Sequence, residues 1–287
     1  MTASYRYTEW ETDRVSFSIE ADSLLYSGQS DFQSVDVYES QDFGRFLVLD
    51  GWMMITERDE FIYHEMITHV PMAVNPAIKK ILVIGGGDGG AVRELLRYPT
   101  VERVDLVEID PMVVEVARKF FPTVSCALDD PRVNIRHEDG VEYVRRYEGE
   151  YDLIIVDSTD PIGPGKALFS KAFYEGCHRA LNESGILVNQ HESAFYEEEA
   201  GIAREIHGHL CRLFPVSKVY HLHIPSYPCG QLFGFSSKKL HPVRDLDAAR
   251  WDALGLQLKY YNTRLHRGVF ALPSYVEALL REAEESD

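Results

Sequence analysis

Ile81-Leu82-Val83-Ile84-Gly85-Gly86-Gly87-Asp88-Gly89-Gly90 decides how this chain folds. Four apolar residues run into a glycine-rich turn, and the amphipathic stretch 91–97 follows. That pattern reads as a buried strand, a tight turn and a covering helix. The unit repeats outward: apolar strands are expected at 80–84, 103–108, 133–136, 152–157 and 185–190, with a further covering helix at 111–121. Repeated β-α units predict a parallel sheet covered by helices. The pattern changes near residue 60. Upstream, short alternating segments such as Ser34-Val35-Asp36-Val37-Tyr38 and Arg45-Phe46-Leu47-Val48-Leu49 are separated by turns such as Asp50-Gly51, which predicts a small β domain over 1–60. A helix is expected at 59–70, stopped by Pro71. The α/β domain then takes 61–287.

At 287 residues and 45% hydrophobic, the chain can bury a full core. Its 46 acidic residues outnumber 29 basic ones, for a formal charge of −17. Such a surface opposes nucleic acid and anionic membranes, and it draws in small cations. No apolar run approaches the roughly 20 residues of a membrane span, and 1–14 is polar, unlike a signal peptide, so a cytoplasmic protein is expected. Cys126, Cys177, Cys211 and Cys229 are too scattered for a zinc site or a disulfide framework, and are read as reduced structural thiols. His207 with His209, and His221 with His223, would share a face if they lay on strands, but no acidic pattern completes a ligand shell. His64-Glu65 followed by His69 is one residue too long for a zinc-protease motif, because a separation of five turns the second imidazole by about 140° around a helix. No metal is expected.

The glycine run contains the G-x-G-x-x-G spacing, and Glu108 falls where a ribose-binding acid is expected. Dinucleotide enzymes and nucleoside-sulfonium enzymes share both features. Asp88 separates them: a carboxylate inside the glycine loop opposes a pyrophosphate and favours an ammonium or sulfonium. His137-Glu138-Asp139-Gly140 brings another acid to the same sheet edge, where Asp139 could bond an adenine amino group. Asp157-Ser158-Thr159-Asp160-Pro161-Ile162-Gly163-Pro164-Gly165 ends the fourth strand with two carboxylates and a backbone largely preset by proline and glycine. Such a site suits a cationic substrate.

Taken together, the Gln33 segment, Phe61-Ile62-Tyr63-His64-Glu65-Met66, 84–90, Val107-Glu108-Ile109-Asp110, Asp139-Gly140, 157–165 and Ile224-Pro225-Ser226-Tyr227-Pro228 resemble the spermidine synthases, aminopropyltransferases of polyamine synthesis. The resemblance covers nearly the whole chain in order. It implies a methyltransferase-like Rossmann sheet with a small N-terminal β domain, assembled as a homodimer or homotetramer. It also implies transfer of an aminopropyl group from decarboxylated S-adenosylmethionine, a co-substrate, to putrescine, with no cofactor. By this resemblance Gln33, Asp88, Glu108, Asp139, Gly140 and Pro164 bind the donor. Tyr63, His64, Asp157, Ser158, Thr159, Asp160, Gln190 and Tyr227 bind the acceptor, and Trp10 closes its outer end. Gly85, Gly86, Gly87, Gly89 and Gly90 form the loop.

Asp88 would repel the carboxylate of ordinary S-adenosylmethionine and pair with the ammonium left after decarboxylation. The acceptor is an alkyl ammonium with a pKa near about 10.4, so only about one molecule in 2,500 is free amine at pH 7. A base is therefore required, and Asp157 is assigned that role, with Tyr63 and Asp160 orienting the nitrogen. The loop 159–171 is expected to close over bound substrates. A methyltransferase would have to seat a carboxylate beside Asp88, an NAD-dependent oxidoreductase a pyrophosphate, and a non-catalytic polyamine binder would have no use for the glycine loop. Gly230-Gln231-Leu232-Phe233-Gly234-Phe235 and His191-Glu192-Ser193 depart from the common pattern and leave open a longer acceptor: agmatine, cadaverine or spermidine.

Overall fold

The computed structural model describes residues 5–159 and 163–285, without the side chains of 163 and 164. The chain begins with an antiparallel pair, β1 (Tyr5–Thr12) and β2 (Val15–Ala21). A four-stranded antiparallel meander follows: β3 (Ser23–Gln29), β4 (Ser34–Ser40), β5 (Gly44–Leu49) and β6 (Trp52–Thr56). The β5–β6 turn is Asp50-Gly51, both at positive φ, the geometry a two-residue hairpin needs. Alternation puts Val35, Val37, Leu47 and Leu49 on one face, where they meet Val113, Val116 and Phe121 from the sheet's covering layer. The meander is thereby docked over one edge of the larger sheet.

Helix α1 (Glu60–Val74) runs straight through Pro71. This corrects the expected stop at residue 70. Every residue of α1 except Phe61 is buried, so packing on all sides outweighs one lost backbone donor, and the Asn75 N–H closes the end on the Pro71 carbonyl at 3.0 Å.

Beyond α1 come β7 (Lys80–Gly85), α2 (Gly90–Leu95), β8 (Arg103–Val107), α3 (Pro111–Phe120), β9 (Val133–Arg136), α4 (Gly140–Val144) and β10 (Tyr151–Asp157). The chain continues with α5 (Lys171–Ala180), β11 (Leu181–Ser193), α6 (Glu197–Leu213), β12 (Val216–Leu222) and β13 (Gln231–Ser237), and ends in α7 (Ala248–Asp252), α8 (Thr263–Gly268) and α9 (Ser274–Glu285). The seven strands lie in the order β12-β13-β11-β10-β7-β8-β9. The sheet is mixed, not wholly parallel as expected: β13 runs antiparallel to both β11 and β12. The connection 223–230 is too short for a crossover, so β13 has to return antiparallel. With this order and a single reversed strand, the fold is α/β with a methyltransferase-like Rossmann sheet and a β-rich N-terminal region.

Leu82, Ile84, Ile154 and Leu187 face one helical layer, whereas Ile81, Val83, Leu153 and Val188 face the other. The strand order changes direction between β7 and β10. Such a switch point opens a crevice at the carboxyl ends of the strands, which are Gly85, Val107, Arg136, Asp157 and Ser193 here. No helix among the described residues is long and apolar enough to cross a membrane.

Candidate active site

A cleft of about 310 Å³ occupies that crevice, roofed by β1, β5 and β6. Its floor is the glycine turn. The Gly86 N–H donates to the Asp157 carbonyl at 2.8 Å, so the end of β7 is fastened to the end of β10. Gly87 brings its N–H within 3.2 Å of Glu108 Oε2.

Three ionisable groups meet on this floor: one ligating atom each of His64, Asp88 and Asp157 lies within 4.8 Å of the others. Asp88 Oδ1 accepts the Gly90 N–H at 2.7 Å and stands 3.2 Å from His64 Nε2. Burial works to raise the Asp88 carboxyl, but the His64 charge and hydrogen bonds hold it below the usual range. Asp157 goes the other way. Burial first, and then the neighbouring Asp88 charge, push it up to about 6, against the opposing effects of His64 and the Tyr63 hydroxyl. Its Oδ2 is buried with no hydrogen-bond partner, as is Ser158 Oγ. Thus Asp88 is a fixed anion, whereas Asp157 has the basicity a general base needs near neutral pH.

His64 lines the cleft, but both its ring nitrogens are engaged, Nδ1 by Glu60 Oε2 at 2.6 Å and Nε2 by Asp88. Burial would lower its pKa, yet the two carboxylates raise it to about 10. The ligating atoms of His64, Asp88 and Asp157 lie close together, but both ring nitrogens of His64 are already engaged by carboxylates. His207, Cys211 and Glu284 also lie close together, in the α6–α9 packing, and none of them lines the cleft. His207 and His209 sit on a helix, not a strand, and so point about 200° apart.

Glu108, Gln33, Asp139 and Gly140 line one end of the cleft. Burial pushes Glu108 up to about 7 even though it accepts the N–H groups of Asp110 and Gly87. Gln33 Nε2 donates to Asp110 Oδ2 at 3.0 Å, and Asp139 caps α4 through the Val141 N–H. Tyr63, Ser158, Thr159, Gln190 and Tyr227 line the other part. Tyr227 donates its hydroxyl hydrogen to the Met54 carbonyl at 2.6 Å, so it presents its ring as a wall. Asp160 and the side chain of Pro164 lie outside the described residues. Trp10 is not in the cleft; it is 58% exposed. Period-two alternation along β1 puts Glu9 and Glu11 toward the cleft and turns Trp10 away, which corrects the expectation that it closes the outer end.

Residues 60–247 match a family model described as the spermine/spermidine synthase domain, and 5–57 match one described as the spermidine synthase tetramerisation domain. This chain belongs to the spermine/spermidine synthase family. It is 59% identical over 280 residues to a polyamine aminopropyltransferase of Alkaliphilus oremlandii, covering 97% of this chain and 99% of that one. It is 57% identical over 275 residues to one of Clostridium beijerinckii, covering 96% and 97%. A spermidine synthase solved in complex with the transition-state analogue AdoDATO superposes with a TM-score of 0.94 at 41% identity, over 97% of this chain and 95% of that one. The spermidine synthase of Thermotoga maritima gives a TM-score of 0.91 at 40% identity, over 96% and 94%. The chain is an aminopropyltransferase.

Of the further acids on the cleft, the sequence singles out Glu192, within His191-Glu192-Ser193, and gives no sign of the other three. Glu9 and Glu11 of β1, Glu192 of β11 and Glu199 of α6 all line the cleft. Glu192 holds a left-handed backbone, φ 64°, and is clamped by Gln190, whose Nε2 donates to its Oε1 while its own N–H donates to Gln190 Oε1, both at 2.8 Å. A non-glycine residue kept at positive φ marks the position further, and that mark shows only in three dimensions.

Proposed function

We propose that the enzyme transfers the aminopropyl group of decarboxylated S-adenosylmethionine to putrescine, giving spermidine and 5′-methylthioadenosine. The observation that carries this reading is the pair Asp88 and Asp157, side by side on the cleft floor with protonation pushed in opposite directions. Asp88 holds the donor's ammonium. Asp157, helped by Tyr63, takes a proton from the acceptor nitrogen. The freed nitrogen lone pair then forms a bond to the carbon beside the sulfonium, and the carbon–sulfur electron pair leaves with sulfur, which becomes the neutral thioether. Alignment of the two substrates supplies much of the remaining acceleration. Because the sulfonium is itself the leaving group, the reaction needs no cofactor.

In this reading Glu108, Gln33 and Asp139 take the ribose and adenine, and Glu108 keeps lone pairs for two hydroxyls; support comes from their shared place on the cleft wall. The acids Glu9, Glu11, Glu192 and Glu199 suit a second ammonium at the far end of a diamine. The enzyme further assembles as a homodimer or homotetramer through its N-terminal strands; support comes from the match of 5–57 and from Tyr5, Trp10 and Val15 exposed on β1 and β2.

Incubating the enzyme with decarboxylated donor and a panel of putrescine, cadaverine, agmatine and spermidine tests the reading by methylthioadenosine release and product mass. Putrescine should give the highest kcat/KM and spermidine as product. A higher value with another amine would overturn the acceptor assignment. Turnover only with S-adenosylmethionine would overturn the donor.

A further inference from the structure

Behind the cleft floor, charges alternate along one buried line. The Arg93 guanidinium donates from both terminal nitrogens to Glu60, at 3.0 Å to Oε1 and 2.9 Å to Oε2. Glu60 Oε2 meets His64 Nδ1 at 2.6 Å, and His64 Nε2 faces Asp88 Oδ1 at 3.2 Å. Glu60 and His64 are one turn apart on α1, and Arg93 comes from α2 with its Nε donated to Glu94. The ring packs directly against Gly90, where an added Cβ would stand 2.2 Å from His64 Cε1.

We propose that Glu60 and Arg93, which do not line the cleft, are positioning residues that hold His64 as an imidazolium beneath the glycine loop and so keep Asp88 ionised while Asp157 takes the proton. This deepens the proposed function and rests on it. A neutral imidazole would leave Asp88 and Asp157 as two adjacent carboxylates sharing a proton, so Asp88 would lose its grip on the donor ammonium whenever that proton sat on it. A buried imidazolium is costly on its own. Glu60 supplies the second carboxylate that holds the proton on the ring, and Arg93 in turn keeps Glu60 ionised; burial raises Glu60, but His64 and Arg93 hold it low. The ionisable groups facing the ring are Glu60 from its own helix, Asp88 from the loop, Asp157 from β10 and the Tyr63 hydroxyl, with Arg93 behind Glu60.

The test is a nitrogen-15 NMR titration of the histidines in the full-length enzyme, with the His64 signal assigned by its loss in His64→Gln. In the unaltered enzyme His64 should stay doubly protonated beyond pH 8. In Glu60→Gln its proton affinity should fall about tenfold or more, and kcat/KM for the amine should acquire a new alkaline decline. Arg93→Gln should move both in the same direction by less, and it keeps the test open if Glu60→Gln does not fold. A His64 that is neutral at pH 8 in the unaltered enzyme overturns the proposal, as does a titration midpoint unmoved in the folded variants. Because the titration needs no turnover, its failure is distinct from failure of the aminopropyl-transfer reading, which shows as absent product.

Discussion

The carbonyl oxygen of Asp157 lies 2.1 Å from the point where a Cβ on Gly85 would stand, and Gly85 holds φ at 78°. The glycine turn therefore does more than leave room for a ligand. It lets β7 and β10 close up at the switch point, which sets the height of Asp157 above the cleft floor.

Gly85→Ala would add both a left-handed strain and a clash with backbone that cannot step aside, so a loss on the order of 2–3 kcal/mol in stability is expected. Chemical denaturation would measure it. Activity should fall further than stability explains, because Asp157 is displaced; an alanine variant with unaltered stability would mean the turn relaxes freely.

Asp88→Asn keeps shape and removes charge. Affinity for decarboxylated S-adenosylmethionine should drop about tenfold or more, the worth of a charged hydrogen bond, while binding of ordinary S-adenosylmethionine improves relative to it. Calorimetry with both compounds gives the ratio. An unchanged ratio would remove Asp88 from donor selection.

The acid side of the pH profile follows from Asp157. With its carboxyl pushed up to about 6, protonation should switch the base off below that pH, so kcat/KM declines about tenfold per pH unit there. A decline beginning only near pH 4 would place an ordinary aspartate at this position.

His64 sets an alkaline signature in stability. Its pKa is raised from 6.5 in the unfolded chain to about 10 in the fold, so its contribution is fully present below about pH 6.5 and is lost as pH rises through about 10. Thermal unfolding across that window should show a decrease that His64→Gln flattens. Parallel curves for the two proteins would contradict it.

Much of the site was legible because polar residues interrupt apolar runs at strand ends. Asp157, Glu108 and the glycine loop announce themselves that way, and the alternation of Val35, Val37, Leu47 and Leu49 foretold the meander. Pro71 misled because helix-breaking is a local rule and α1 is held by burial on every side. The reversal of β13 depended on the length of one connection. Glu9 and Glu11 were silent because alternation along β1 assigns a face without saying what that face meets. The surroundings of His64 were hidden for the same reason: Glu60 is visible four residues earlier, but Arg93 and Asp88 join it only in the fold.

The most direct test of Asp157 as the proton acceptor is the pH dependence of Asp157→Asn with putrescine at saturating donor. If the carboxylate serves chiefly to free the amine, the variant should lose about 10²- to 10⁴-fold near pH 7. It should then recover about tenfold per pH unit as solvent does the deprotonation, roughly a hundredfold between pH 7 and 9. A variant with near wild-type turnover at pH 7, or one whose deficit stays constant across that range, would contradict the account.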